Sequence, residues 1–128
     1  MPRKEVIAPA GFQTSTTPLS PGIKVGNTVY VSGQVGRHPT TGQMGGDIRE
    51  QTRNALERIK MILEAAGTSM DNVVSATCWL TSREHFAAFN EVYASYFPTA
   101  KPARATVEAN LMAAGALVEI MVTACMPD

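Results

Sequence analysis

One segment near the C-terminus restricts the folds open to this chain more than any other. Residues 116–125 read ALVEIMVTAC, an apolar run in which Val118, Ile120, Val122 and Ala124 fall on one side of an extended strand. Leu117, Glu119, Met121 and Thr123 fall on the other side, which is still half apolar. A sheet with one wet face alternates apolar with polar residues, and this strand does not. Whatever sheet it joins needs cover on both faces.

The rest of the chain supplies cover for only one. Ile23, Lys24 and Val25, a Gly26-Asn27 turn and residues 28–32 predict a β-hairpin, after a Pro-, Gly-, Ser- and Thr-rich loop over residues 9–22. A second loop is expected from Gly33 to Gly46. Asp47 then stands as an N-cap with Glu50 three positions on, as in a capping box. Ile48, Thr52, Ala55, Ile59, Ile62 and Ala66 follow at helical spacing, and Arg49, Glu50, Arg53, Glu57 and Lys60 fall largely opposite. Gly67 ends this helix. Residues 73–80 (VVSATCWL) predict a strand. Ser82 predicts the cap of a second helix over 83–97, with Phe86, Phe89, Val92, Tyr93 and Tyr96 toward the core. Strands at 103–109 and 116–125 complete the order, joined by a turn- or helix-like segment at 110–115, with a further strand around Val6. Two helices cover one face of such a sheet. An uncovered apolar face is rare on monomers, so the chain is expected to be an obligate homo-oligomer whose sheets pack together.

Composition supports a single domain, 1–128, with part of its surface covered by partner subunits. The 128 residues are 45% hydrophobic but only 17% charged, against ~25% in a typical soluble domain. Eleven basic and eleven acidic residues cancel, and no basic stripe is visible, so nucleic acid is not an expected partner. The N-terminus lacks the apolar core of a secretory signal, and no run approaches the ~20 apolar residues that cross a bilayer. A cytoplasmic protein without membrane contact is expected. Cys78 and Cys125 are expected as free thiols, and with His38 and His85 they show no metal-ligand spacing. Cys78 reads as core packing and the histidines as surface residues.

Two charged residues stand out in apolar strands. Glu119 interrupts the last strand, where burying an unpaired carboxylate costs several kcal/mol, on the order of 3–5. Arg104 opens the preceding one; by alternation it shares a face with Thr106 and Glu108, while Ala103, Ala105 and Val107 share the other. A structural Arg104–Glu119 ion pair between neighbouring strands and a functional site remain alternative readings of this pattern.

Residues 102–108 (PARATVE), with Val118-Glu119-Ile120, resemble the C-terminal signature of the reactive intermediate deaminase (Rid/YjgF) family. Further pieces match in order: residues 18–22 followed by Val25-Gly26-Asn27, then 31–34 (VSGQ), then Gly45-Gly46-Asp47-Ile48 with Gln51-Thr52. Residues 89–93 (FNEVY) and Tyr96-Phe97 complete the series, so the similarity spans nearly the whole chain. The resemblance implies an α+β, chorismate-mutase-like fold: a mixed, mostly antiparallel β-sheet with two helices on one face. It implies a homotrimer with a central barrel and clefts between subunits.

It further implies a hydrolase without metal or cofactor, akin to a 2-iminobutanoate/2-iminopropanoate deaminase. Such an enzyme turns a small carboxylate-bearing imine or enamine of 2-aminoacrylate type into a keto acid and ammonia. Arg104 matches the family's substrate-carboxylate arginine, and Glu119 the carboxylate associated with the attacking water. Gly33, Thr106, Ser32, Asn90 and Leu19 match the remaining substrate-binding positions. For Ser32 and Asn90, local turn or helix hydrogen bonding is the competing reading. Leu19 stands where many members carry a tyrosine and Thr106 where some carry a cysteine; the leucine removes a hydroxyl and makes the cleft more apolar. A specialised catabolic enamine deaminase, such as one acting on 2-aminomuconate, is therefore one alternative. A non-catalytic keto-acid-binding trimer and a ribonuclease are others, the last disfavoured by the neutral charge balance.

Overall fold

The chain, seen in a computed structural model that describes residues 3–12 and 16–128, builds its sheet outward from the hairpin that the Gly26-Asn27 turn predicts. Strand β2 (Gly22–Val25) pairs antiparallel with β3 (Thr28–Val35), and the short β1 (Glu5–Ile7) adds to the free edge of β2. Of the loop expected over 9–22, residues 13–15 lie outside the described residues. The expected end of β3 at residue 32 is too early. The strand continues to Val35 through a bulge between Val31 and Gln34, so Gly33 sits inside the strand.

Helix α1 (Ile48–Ala65) starts and stops where its caps dictate. Asp47 Oδ1 accepts the backbone N–H of Glu50 at 2.8 Å. Glu50 Oε1 reaches back to the N–H of Gly46 at 2.7 Å, one residue beyond an ordinary capping box. At the other end Gly67 takes a φ of +92°, and Thr68 N–H donates to Leu63 O at 3.0 Å, closing a Schellman turn. The apolar stripe packs Ala55, Leu56, Ile59, Ile62 and Leu63 against the sheet with no exposure. The larger of these contribute about 1.5–3 kcal/mol each.

The second helical region begins as a 3-10 turn at Arg83–His85, where Ser82 Oγ accepts from Glu84 N, and continues as α2 (Phe86–Tyr96). Phe89, Val92 and Tyr93 are buried as the spacing predicts. Phe86 is exposed, and Tyr96 is half-buried with its hydroxyl donating to Glu57 at 2.6 Å.

Strands β4 (Val73–Leu80), β5 (Ala103–Glu108) and β6 (Val118–Cys125) complete a six-stranded sheet of order β1-β2-β3-β6-β4-β5. All pairs are antiparallel except β4 with β5. Both helices lie on one face, as expected for this α+β class. Val118, Ile120, Val122 and Ala124 are buried beneath them. Tyr30, Met121 and Val107 stand exposed on the opposite face. Among the described residues no helix is long and apolar enough to cross a membrane.

Candidate active site

Strand β5 fixes where Arg104 points. Its parallel register sets Arg104 beside Ala76, Thr106 beside Cys78 and Glu108 beside Leu80. Those three partners are buried under the helices, so Arg104, Thr106 and Glu108 share the helix-side face. From there Arg104 reaches over α2. Its Nη1 donates to Asn90 Oδ1 at 2.9 Å, and its guanidinium carbon lies 4.8 Å from the Tyr93 ring centre. Phe89 and Phe86 close the same cup at 5.5 and 5.7 Å. Such cation–π contacts are worth about 0.5–2 kcal/mol, and with the amide they orient the planar fork while leaving the residue exposed.

A cavity of about 270 Å³ opens beside it, lined by Asn90, Tyr93, Phe97, Lys101, Pro102 and Arg104. The Tyr93 hydroxyl is buried with no hydrogen-bond partner among the described residues, and burial pushes its pKa up to about 12. It stays a proton donor at neutral pH. The Thr106 hydroxyl is buried with no hydrogen-bond partner among the described residues, and burial raises the pKa of the Cys78 thiol beside it to about 11. Cys78 is thus a protonated core thiol, as expected. Glu108 accepts the backbone N–H of Arg83 at 2.7 Å and is spent on the turn before α2.

Glu119 occupies a different corner. It pairs with Val35 on one side and Trp79 on the other, and alternation turns it away from the helices onto the open face. Its carboxylate packs against the bulge, where a Cβ on Gly33 would collide with Oε2 and Cδ. Only glycine leaves that space. Burial raises the Glu119 pKa, so the group holds its proton closer to neutrality than an ordinary carboxyl. Ser32 is bound locally: its Oγ donates to Ser20 O at 2.6 Å and its N–H to Pro21 O at 2.9 Å. These bonds tie the preceding loop to β3. Leu19 is exposed on that loop. Among the described residues no three His, Cys, Asp or Glu side chains gather into a possible metal site.

These placements rule out one of the two readings that the sequence left open. Arg104 and Glu119 do not form an ion pair between neighbouring strands, because β4 lies between β5 and β6. Two strand spacings separate their backbones by roughly 10 Å, and the side chains leave from opposite faces. Within one chain they share no cleft. Asn90 and Thr106 belong to the Arg104 corner; Gly33, Ser32 and Leu19 belong to the Glu119 corner. Arg58 and Arg37, at a hollow beside the second corner, escaped the sequence reading. The signal for Arg58 was its spacing, three residues after Ala55 and four before Ile62, which sets it on the buried stripe despite its charge.

Comparison with known proteins gives this arrangement relatives. A RutC family protein of Pyrococcus horikoshii is 45% identical over 118 residues, 91% of this chain and 94% of the relative. The crystal structure of the Rid family protein YyfA from Yersinia pestis superposes with a TM-score of 0.91 at 38% identity, covering 97% of this chain and all of its own. That of E. coli TdcF with bound serine superposes with a TM-score of 0.90 at 29% identity, covering 96% of this chain and 99% of its own. The family profile described as Endoribonuclease L-PSP matches residues 12–126. Both the sequence and the sheet with its one-sided helix layer therefore make this chain a member of the L-PSP family, the group that includes the Rid, YjgF and RutC proteins.

Proposed function

We propose that this protein hydrolyses small imino or enamino acids to keto acids and ammonia. It does so as a homotrimer in which the Arg104 corner of one protomer meets the Glu119 corner of the next. The observation that carries this reading is the division of the site. An oriented guanidinium and a desolvated carboxylate lie on opposite faces of one sheet, each beside surface that a second copy can cover.

In that assembly the Arg104 fork holds the substrate carboxylate by two-point hydrogen bonding, which sets the imine carbon in place. Glu119 accepts a proton from water as the oxygen adds to that carbon. The proton passes to nitrogen, the carbon–nitrogen bond breaks, and C=NH plus H₂O becomes C=O plus NH₃. A carboxyl with a raised pKa suits both halves of this shuttle. Serine bound to TdcF supports a site for small amino-acid-like carboxylates. Free thiols at Cys78 and Cys125 fit a cytosolic setting. The endoribonuclease in the family description gains no support from a chain whose charges cancel.

Ammonia release from imino acids generated in place tests the proposal. Arg104→Ala should cost ~2–4 kcal/mol of transition-state binding, roughly 30- to 1,000-fold in rate. Mixing unfolded Arg104→Ala and Glu119→Gln chains and refolding them together should restore part of the activity, because some interfaces then pair two intact corners. Arg104→Ala with parental activity would sink the deaminase reading. Mixed chains no better than either variant alone would sink the shared site.

A further inference from the structure

Tyr93 carries a hydroxyl that the fold does not use. The side chain is only 7% exposed, wedged on α2 between Phe89 and Phe97, whose ring centres lie 5.5 and 4.7 Å from its own. Its oxygen is buried and has no hydrogen-bond partner among the described residues. Packing alone explains a phenylalanine here. The added oxygen weakens the free protein, because a buried hydroxyl gives up its bonds to water and gains none in return. Thr106 on β5 repeats the pattern with a second buried, unpaired hydroxyl.

Arg104 is the neighbour that these two groups share. Thr106 follows it by two positions on the same face of β5, and its guanidinium carbon lies 4.8 Å from the Tyr93 ring centre. The Tyr93 oxygen stands near both that guanidinium and the Cys78 thiol. Tyr93 and Arg104 also wall the same cavity of about 270 Å³, and none of its lining residues is acidic. Burial pushes the Tyr93 pKa up to about 12, so the phenol keeps its proton at neutral pH. Beside the planar fork it offers one more donor, and the acceptor has to come from outside the chain. We propose that Tyr93 is a further substrate-binding residue, its hydroxyl donating to a carboxylate oxygen of the imino acid that Arg104 holds. The inference rests on the deaminase reading above. Because the guanidinium lies across the Tyr93 ring, a carboxylate that draws the fork toward the cavity uncovers the hydroxyl and takes both donors at once. The contact is made equally by substrate and transition state, so it raises affinity and leaves the chemical step alone.

Tyr93→Phe deletes the one oxygen and keeps the ring, and it should separate binding from folding. In titration calorimetry on the assembled protein, the keto acid 2-oxobutanoate should bind about tenfold more weakly or worse, the loss of one hydrogen bond to a charged group. In thermal melts without ligand, the variant should match or exceed the parent. Ammonia release should show the same loss in KM, with kcat within about twofold of the parent. Unchanged 2-oxobutanoate affinity overturns the inference. So does a lower melting temperature or a failure to fold, either of which would mean that the hydroxyl holds the structure together. Unchanged affinity in the variant beside full ammonia release by the parent removes this contact alone. A parent that releases no ammonia from any imino acid, yet loses keto-acid affinity with the Tyr93 oxygen, would instead remove the catalytic reading and keep the contact.

Discussion

The two faces of strand β6 carry side chains of similar size to opposite fates. On the helix side Ile120 is fully buried and its neighbours Val118, Val122 and Ala124 are nearly so. On the other side Met121 keeps 42% of its surface in water, and Tyr30 across the β3–β6 pair keeps 51%. One chain completes the first packing problem alone. The second it leaves open, and that is the face bearing Glu119. The contrast separates stability from the proposed chemistry by a single sheet: the core is completed within one chain, and under the proposed function the Glu119 side is completed by a second copy.

The sharpest attack on that comparison is a pair of truncations. Ile120→Ala should cost about 2–5 kcal/mol of unfolding free energy at any protein concentration. Met121→Ala should cost a protomer well under that and act mainly by weakening association. Urea titrations at two protein concentrations separate the two, and a concentration-independent loss at Met121 equal to that at Ile120 would erase the distinction between the faces.

Glu119→Gln comes next, with ammonia release expected to fall by about 100-fold. The same variant reads out burial. Because folding raises the Glu119 pKa, folding is most favoured below the carboxyl's unfolded value, and that contribution is lost as pH rises through the folded one. The parent should therefore match Glu119→Gln in thermal melts at low pH and fall behind it as pH rises past the ordinary carboxylate range. A constant difference across pH would show the carboxylate is not desolvated.

The smallest effect is expected from Gly33→Ala. The added methyl displaces the Glu119 carboxylate, and a shift of a fraction of an ångström should slow turnover about tenfold while costing on the order of 1 kcal/mol of stability. Kinetics unchanged in this variant would mean that the carboxylate position is not set by the bulge.

Much of the scaffold was legible because it is locally encoded. Asp47 and Gly67 bound α1 through hydrogen bonds to residues within one turn, and residues 73–80 form β4 because their β-branched run suits nothing else. The helix-side face of β6 was equally plain. What escaped depends on neighbours distant in sequence. Alternation showed that Arg104, Thr106 and Glu108 share a face but not which face, nor that β4 would slip between β5 and β6. Residues 103–109 and 116–125 look like partners because they are close in sequence, and that nearness suggested the ion pair the structure denies. Gly33 looked like the end of a strand, whereas it marks a bulge shaped around Glu119. Arg58 was hidden by its charge, since an arginine on a buried stripe is accommodated by groups such as the Phe12 ring and the Gln34 amide, which lie far away in sequence.

Strand β5 lies at the margin of the sheet, bonded to β4 on one side and to no described strand on the other. Four of its first five residues are exposed, three of them Ala103, Ala105 and Val107. A newly made protomer would thus carry an adhesive rim, with open backbone amides next to an unshielded apolar flank. Under the proposed assembly, conditions that slow subunits from finding each other should divert them into insoluble aggregates, and yield on expression should follow the speed of assembly more than the stability of the isolated chain.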